Sequence, residues 1–177
     1  MLMPSAGHFD AGIAENFCGC HAWKMKREMS ICITMVLVLT TWVSGSAQEF
    51  GYWRAESKTA HSVTGDVGIS DARLTINFYG FNIVRARDLE PVEVSSVFDT
   101  DSAGSIKGRL YGLSIPAAKK FLHKNTLCGS EDTRWMVTYA EGNALQLAFF
   151  SGEKPPVFNV DAIANSTSLC GTYSYIR

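Results

Sequence analysis

Neither sign of charge dominates this chain: 16 Lys and Arg stand against 17 Asp and Glu in 177 residues, a formal net charge of −1. The balance argues against a nucleic-acid surface, which needs a basic excess. The scatter of charges is that of an ordinary solvated surface. Histidine is scarce, and beyond residue 47 only His61 and His123 occur. No glycine-rich phosphate loop or dinucleotide fingerprint is present, which argues against nucleotide binding. No apolar run reaches the roughly 20 residues that a membrane-spanning helix requires. No internal repeat recurs at a fixed period, which argues against a propeller or solenoid.

What the chain does contain begins with an export signal. Lys24, Lys26 and Arg27 precede an apolar run over residues 31–43, followed by Ser44-Gly45-Ser46-Ala47-Gln48. A basic flank, a short apolar stretch and small residues before a cut after Ala47 describe a secretory signal peptide. The expected organisation is a signal-peptide helix over residues 25–47 and a single domain over residues 48–177. Residues 1–24 then read as an unstructured, over-long start, with Met25 or Met29 as the true one. Cys18-Gly19-Cys20-His21 in that segment fits no zinc spacing and has no partner pair. Membrane contact is expected only through the signal segment, if it stays uncleaved. Amino-terminal sequencing of exported protein checks this, and a mature chain beginning well before Gln48 would refute it.

Past the cut only Cys128 and Cys170 remain, each inside a Leu-Cys-Gly triplet. In an oxidising compartment two cysteines with no third competitor allow one intramolecular disulfide. A redox-active pair is the lesser reading, because such pairs sit close together as Cys-x-x-Cys.

From Trp53 onward, short apolar alternations are broken by Gly, Asn, Asp and Pro, with no sustained 3.6-residue stripe. That punctuation predicts an all-β domain of about eight strands, a small antiparallel barrel or a two-layer sandwich. Strands are expected over residues 61–67, at Leu74, Ile76 and Phe78 with a turn at Tyr79-Gly80, and from Phe81 on. Others are expected over residues 92–98 and 106–113. A hairpin should carry Trp135, Val137 and Tyr139, turn at Glu141-Gly142-Asn143, and return through Leu145, Leu147 and Phe149. Residues 169–176 read as the last strand. Only residues 117–124 suggest a helical turn, and residues 157–167 read as loop.

Asn125-Thr126-Leu127-Cys128-Gly129, Trp135-Met136-Val137, the stretch from Leu145 to Phe149, Pro155-Pro156 and Leu169-Cys170-Gly171-Thr172-Tyr173-Ser174-Tyr175, with Ala60-His61-Ser62-Val63-Thr64-Gly65-Asp66 before them, resemble a family of small uncharacterised secreted proteins of Gram-negative bacteria. The resemblance implies a signal peptide and a periplasmic or secreted address, and it supplies no catalytic residues.

The patterns that suggest chemistry fail on context. Asp99-Thr100-Asp101-Ser102-Ala103-Gly104 opens like a calcium loop, but Ala103 and Leu110 stand where oxygen ligands are required, so a plain turn is expected. Ser151-Gly152-Glu153-Lys154 has the Ser-x-x-Lys spacing but lacks the helix it needs, given Gly152 and Pro155-Pro156. Ser62, His123 and Asp66 allow a triad to be drawn, yet Ser62 lies in no nucleophile elbow. Asn165-Ser166-Thr167 is a glycosylation acceptor only in a eukaryotic secretory route. Trp53, Trp135, Tyr139, Tyr173 and Tyr175 are candidates for a ligand or partner surface, with ordinary core packing as the plainer alternative. No cofactor and no metal are expected. The expected function is non-enzymatic binding of an envelope protein. The alternative is carriage of a small apolar ligand inside a barrel, with a hydrolase third.

Overall fold

The computed structural model describes residues 49–101 and 108–177. The signal segment, the start before it and Cys18-Gly19-Cys20-His21 lie outside the described residues, as do the last residues of the acidic turn, Ser102, Ala103 and Gly104.

The eight strands form a closed antiparallel barrel in which each pairs with its sequence neighbours. They are β1 (Gly51–Ala55), β2 (Val67–Ile69), β3 (Arg73–Ile76), β4 (Tyr79–Leu89), β5 (Gly108–Ile115), β6 (Thr133–Glu141), β7 (Ala144–Phe150) and β8 (Leu169–Ile176). Of the two architectures expected, the barrel is the one observed. β1 closes it: Gly51, Tyr52 and Trp53 pair with β2, while Arg54 and Ala55 pair with β8. The side-chain period of two sends Trp53, Leu74, Ile76, Tyr111, Met136, Phe149 and their neighbours inward. They form one continuous core that also takes in Tyr173 and Tyr175.

β5, β6 and β7 are covered on both faces, so they read as nearly unbroken apolar runs. A second cluster on their outer side joins Leu110, Val137, Tyr139, Ala148 and Phe150 to Val94, Val97 and Phe158. Val94 and Val97 belong to α2 (Pro91–Phe98), where β-branched residues had predicted a strand. The start of that segment favours a helix instead. Pro91 occupies the first turn, where its missing N–H costs nothing, and the Glu93 carboxylate accepts the Glu90 N–H at 2.9 Å. Arg87 then holds both Glu93 oxygens at 2.7 Å. The helix packs tightly, since a Cβ at Gly108 would stand 2.5 Å from a Val94 methyl.

The expected strand over residues 61–67 is also corrected. α1 (Lys58–Val63) precedes β2, capped by the Ser57 hydroxyl, which accepts the Ala60 N–H at 3.1 Å. Ala60 and Val63 pack on the interior core from one end of β1. Residues 117–124 contain only a 3₁₀ turn at Leu122–Lys124. The expected loop over residues 157–167 includes a short helix, α3 (Val160–Ala164). The β6–β7 hairpin forms as expected, with Gly142 at φ 55° in its turn.

Candidate binding surface

Cys128 and Cys170 are joined in a disulfide with a Cα–Cα distance of 4.8 Å. The β8 register explains how Cys170 reaches its partner. Phe149 pairs with Gly171 and Phe150 with Leu169, so Cys170 is the extra residue of a bulge. A bulge re-aims the side chain it carries.

The five aromatics chosen from the sequence do not make a surface. Trp53, Tyr173 and Tyr175 are buried inside the barrel and Tyr139 lies beneath α2, while Trp135 is half-buried on the outer cluster. Strand periodicity located them, but it does not distinguish a lining from a filling. The polar atoms of three of them hold the fold: Trp53 Nε1 donates to the Glu49 carbonyl at 2.8 Å, Trp135 Nε1 to the Gly152 carbonyl at 2.9 Å, and the Tyr175 and Thr64 hydroxyls share a 2.7 Å bond. Burial pushes the Tyr173 phenol up to about 12 and raises Tyr175 further still.

Glu49, which no pattern in the sequence flags, is 2% exposed. From just before β1 its carboxylate reaches into the barrel. One oxygen accepts from the Tyr111 hydroxyl and meets the Arg109 guanidinium at 2.7 Å, and the other accepts from Thr138 Oγ1 at 2.8 Å. A buried charge is tolerated only when paired and hydrogen-bonded, and here both conditions are met. The Tyr111 phenol is raised by burial and then by the Glu49 carboxylate. The cluster therefore fastens the chain ahead of β1 to β5 and β6.

Three exposed aromatic groups, Tyr52, Phe78 and Tyr79, gather around the β3–β4 hairpin. The sequence places Phe78 in the β3 alternation and a turn at Tyr79-Gly80, but Tyr79 already belongs to β4 and the turn is Asn77-Phe78. Both turn residues have positive φ, 46° and 67°. Tight hairpins of this kind require that geometry and normally place glycine second. Phe78 is 98% exposed at the tip. Beside it Tyr79 is half-exposed under the Lys119 ammonium, 2.9 Å from the ring centroid.

Next to the tip a groove of about 480 Å³ runs over the outer face of β2 and β3. Its walls are Tyr52, Phe78 and Leu122, and Gly68 and Thr75 lie beneath. Asp66 edges it, accepting the Tyr52 hydroxyl at 2.7 Å and the Ala55 N–H at 2.9 Å. Those two bonds hold the Asp66 carboxyl below its usual range.

The residues drawn as a triad do not assemble into one. His123 Nδ1 faces the Ser62 backbone carbonyl at 3.2 Å, the Ser62 hydroxyl donates to the Lys58 carbonyl, and Asp66 is committed to Tyr52 and Ala55. Ser151-Gly152-Glu153-Lys154 lies in irregular chain, not in a helix. Among the described residues no cluster of three His, Cys, Asp or Glu is placed to hold a metal ion.

At this point the fold defines a class: a small, closed, eight-stranded antiparallel β-barrel stapled by one disulfide. No family model, curated protein or solved structure matches the chain.

Proposed function

We propose that the protein is an exported, non-enzymatic binding domain of the cell envelope, with another protein as its partner and the β3–β4 hairpin as its contact surface. The observation that carries this reading is Phe78, a large apolar side chain almost wholly in water and held in a left-handed conformation. Strain kept at an exposed site points to function, because neither burial nor backbone preference accounts for it. An aromatic projecting from a rigid hairpin is the form of anchor that fills a pocket on a partner and dominates the binding energy. The disulfide supports the address, since such bonds persist in oxidising compartments.

Carriage of an apolar molecule needs a cavity of about 300 Å³ or more, whereas Trp53, Tyr111, Met136, Phe149, Tyr173 and Tyr175 pack into one buried cluster inside the barrel.

The test is capture from periplasmic extract on the oxidised domain, read by mass spectrometry, with Phe78→Gly and a reduced control alongside. A specific protein retained by the native domain and lost from Phe78→Gly is expected. A protein retained equally by both would refute the role of the tip.

A further inference from the structure

We infer that the groove over Gly68 is a saccharide subsite, built to take a pyranose ring of an uncharged glycan.

The floor comes first. Tyr52 pairs with Gly68 and Gly68 with Thr75, so the three residues lie in one row across the sheet. The middle position has no side chain. Nothing in the fold requires glycine there: its φ is not positive, and an added Cβ would meet only Thr75 Cβ at 3.7 Å and the Gly51 carbonyl at 3.9 Å, ordinary contacts. Glycine in a strand interior weakens the strand and often marks a bulge, a tight bend at a barrel corner, or the close approach of a ligand or another backbone; the register on either side of Gly68 is unbroken, so no bulge is present. The nearest backbone to that Cβ is the Gly51 carbonyl of the paired strand, at ordinary contact distance. What its bare Cα produces is the groove.

The walls and the charge then narrow the occupant. Tyr52, 65% exposed, and Phe78 offer ring faces, and Leu122 adds an aliphatic side. Asp66 is the one lining side chain with a formal charge, and both its oxygens are already engaged. Both donors are neutral, so Asp66 keeps its negative charge, and with no cation in the lining the groove disfavours an anionic ligand. The Thr75 hydroxyl and Asn77 amide have no hydrogen-bond partner among the described residues, and the Tyr52 hydroxyl, having donated to Asp66, can still accept. Aromatic faces with uncommitted hydroxyl and amide groups match a ring that has C–H faces and a hydroxyl rim. The volume lies within the range of small-molecule sites.

An extended peptide fits less well. β-Strand addition requires an unpaired edge, and Gly68 and Thr75 are hydrogen-bonded into the sheet between neighbours on both sides.

This inference does not depend on a protein partner, and one substitution separates the two. Gly68→Val puts a branched side chain on the groove floor, leaves Phe78 in place and gives a strand a residue that favours strands. The experiment is an amide-resonance titration of the oxidised exported protein with cellotriose and with triacetylchitotriose, with a neutral hexapeptide in parallel. Expected are saturable shifts at Gly68, Thr75 and Asn77 with at least one sugar, weakened about tenfold or more in Gly68→Val, a loss of about 1.4 kcal/mol. Tyr52→Phe should weaken the sugar less than Tyr52→Ala, because it keeps the ring. The melting temperature of Gly68→Val should be no lower than that of the native protein. No saturable shift with either sugar, shifts unchanged in Gly68→Val, or equal shifts with the peptide would each overturn the inference. Because Gly68→Val leaves the tip intact, protein capture through Phe78 should survive it.

Discussion

Replacing Phe78 with glycine should make the barrel more stable and the protein less able to bind. A non-glycine residue in the left-handed region costs about 1–2 kcal/mol, and Phe78 at φ 67° bears that cost. At 98% exposure the ring buries almost nothing, so its removal forfeits little apolar burial. Glycine widens the unfolded ensemble, which returns roughly 0.5–1 kcal/mol of the gain. The net stabilisation is about 0.5–1 kcal/mol, on the order of 2–5 °C in melting temperature for a domain of this size. Asn77-Gly would also be the pair that such a turn prefers. Thermal and urea unfolding followed by circular dichroism give the answer, with the urea slope expected to stay constant. Phe78→Ala is the control, because alanine keeps the strained backbone and loses the ring. It should fail to bind, as Phe78→Gly does, but without the gain in stability. If both variants gain equally, backbone strain is the wrong explanation. If Phe78→Gly melts lower than the native domain, the ring makes contacts that stabilise the barrel and the functional reading of the tip fails.

Other expectations concern the fastenings. Opening the Cys128–Cys170 bridge, which spans 42 residues of sequence, should cost about 4 kcal/mol in the loop-entropy model. Cys128→Ser/Cys170→Ser urea midpoints check this, and a loss below about 1 kcal/mol would show that the reduced chain keeps its closure. Glu49→Ala leaves Arg109 only its 3.8 Å contact with the exposed Asp88 carboxylate and should cost about 3 kcal/mol, while Glu49→Met/Arg109→Met should recover a good part of that. A double variant no more stable than the single one would count against a buried pair. The Asp66 carboxyl is lowered from 3.8 by the Tyr52 hydroxyl and the Ala55 N–H, and Glu93 from 4.5 chiefly by Arg87. Groups with depressed values contribute stability that is present above the unfolded value and is lost as pH falls through the folded one. Urea midpoints should therefore fall as pH drops below about 4, and Asp66→Asn should flatten that limb. An unchanged limb in Asp66→Asn would refute its share.

Much of the barrel was legible because burial on alternate sides leaves a period of two in the sequence. Leu145, Leu147 and Phe149 show it, as does the Gly142 turn before them. The disulfide was legible by elimination, because past the expected cut after Ala47 only one pairing is open to Cys128 and Cys170. The failures lie where a local signal overrode the period. Val92, Val94 and Val97 favour a strand by type, but Pro91 and the Glu90–Glu93 pair start a helix, and valines three apart serve a helix face equally well. Leu74, Ile76 and Phe78 alternate to the end of the strand, and the pattern runs one residue into the turn because apolar character alone does not reveal a positive φ. Glu49 was out of reach: its three partners lie 60 to 89 residues away in the chain, and nothing near it in sequence marks it for burial.

Glu49, Phe78 and Gly68 each break a rule that their neighbours follow, and how each departure is compensated separates structure from function. Glu49 is a charge in the interior, but Arg109, Tyr111 and Thr138 satisfy it, so its presence is accounted for within the fold. Gly108 is a strand glycine that Val94 makes necessary, and it too is accounted for. Phe78 and Gly68 have no such counterpart: the described barrel would tolerate a glycine at the first and a side chain at the second. Sequences consistent at every level specify their folds most strongly, and uncompensated departures are expected where selection acts on something besides folding. Both positions border the same groove, where Tyr52, Phe78 and Tyr79 stand exposed on the outer wall. That coincidence supports the proposed binding surface on the outside of the barrel, where an aromatic tip and a bare strand position meet.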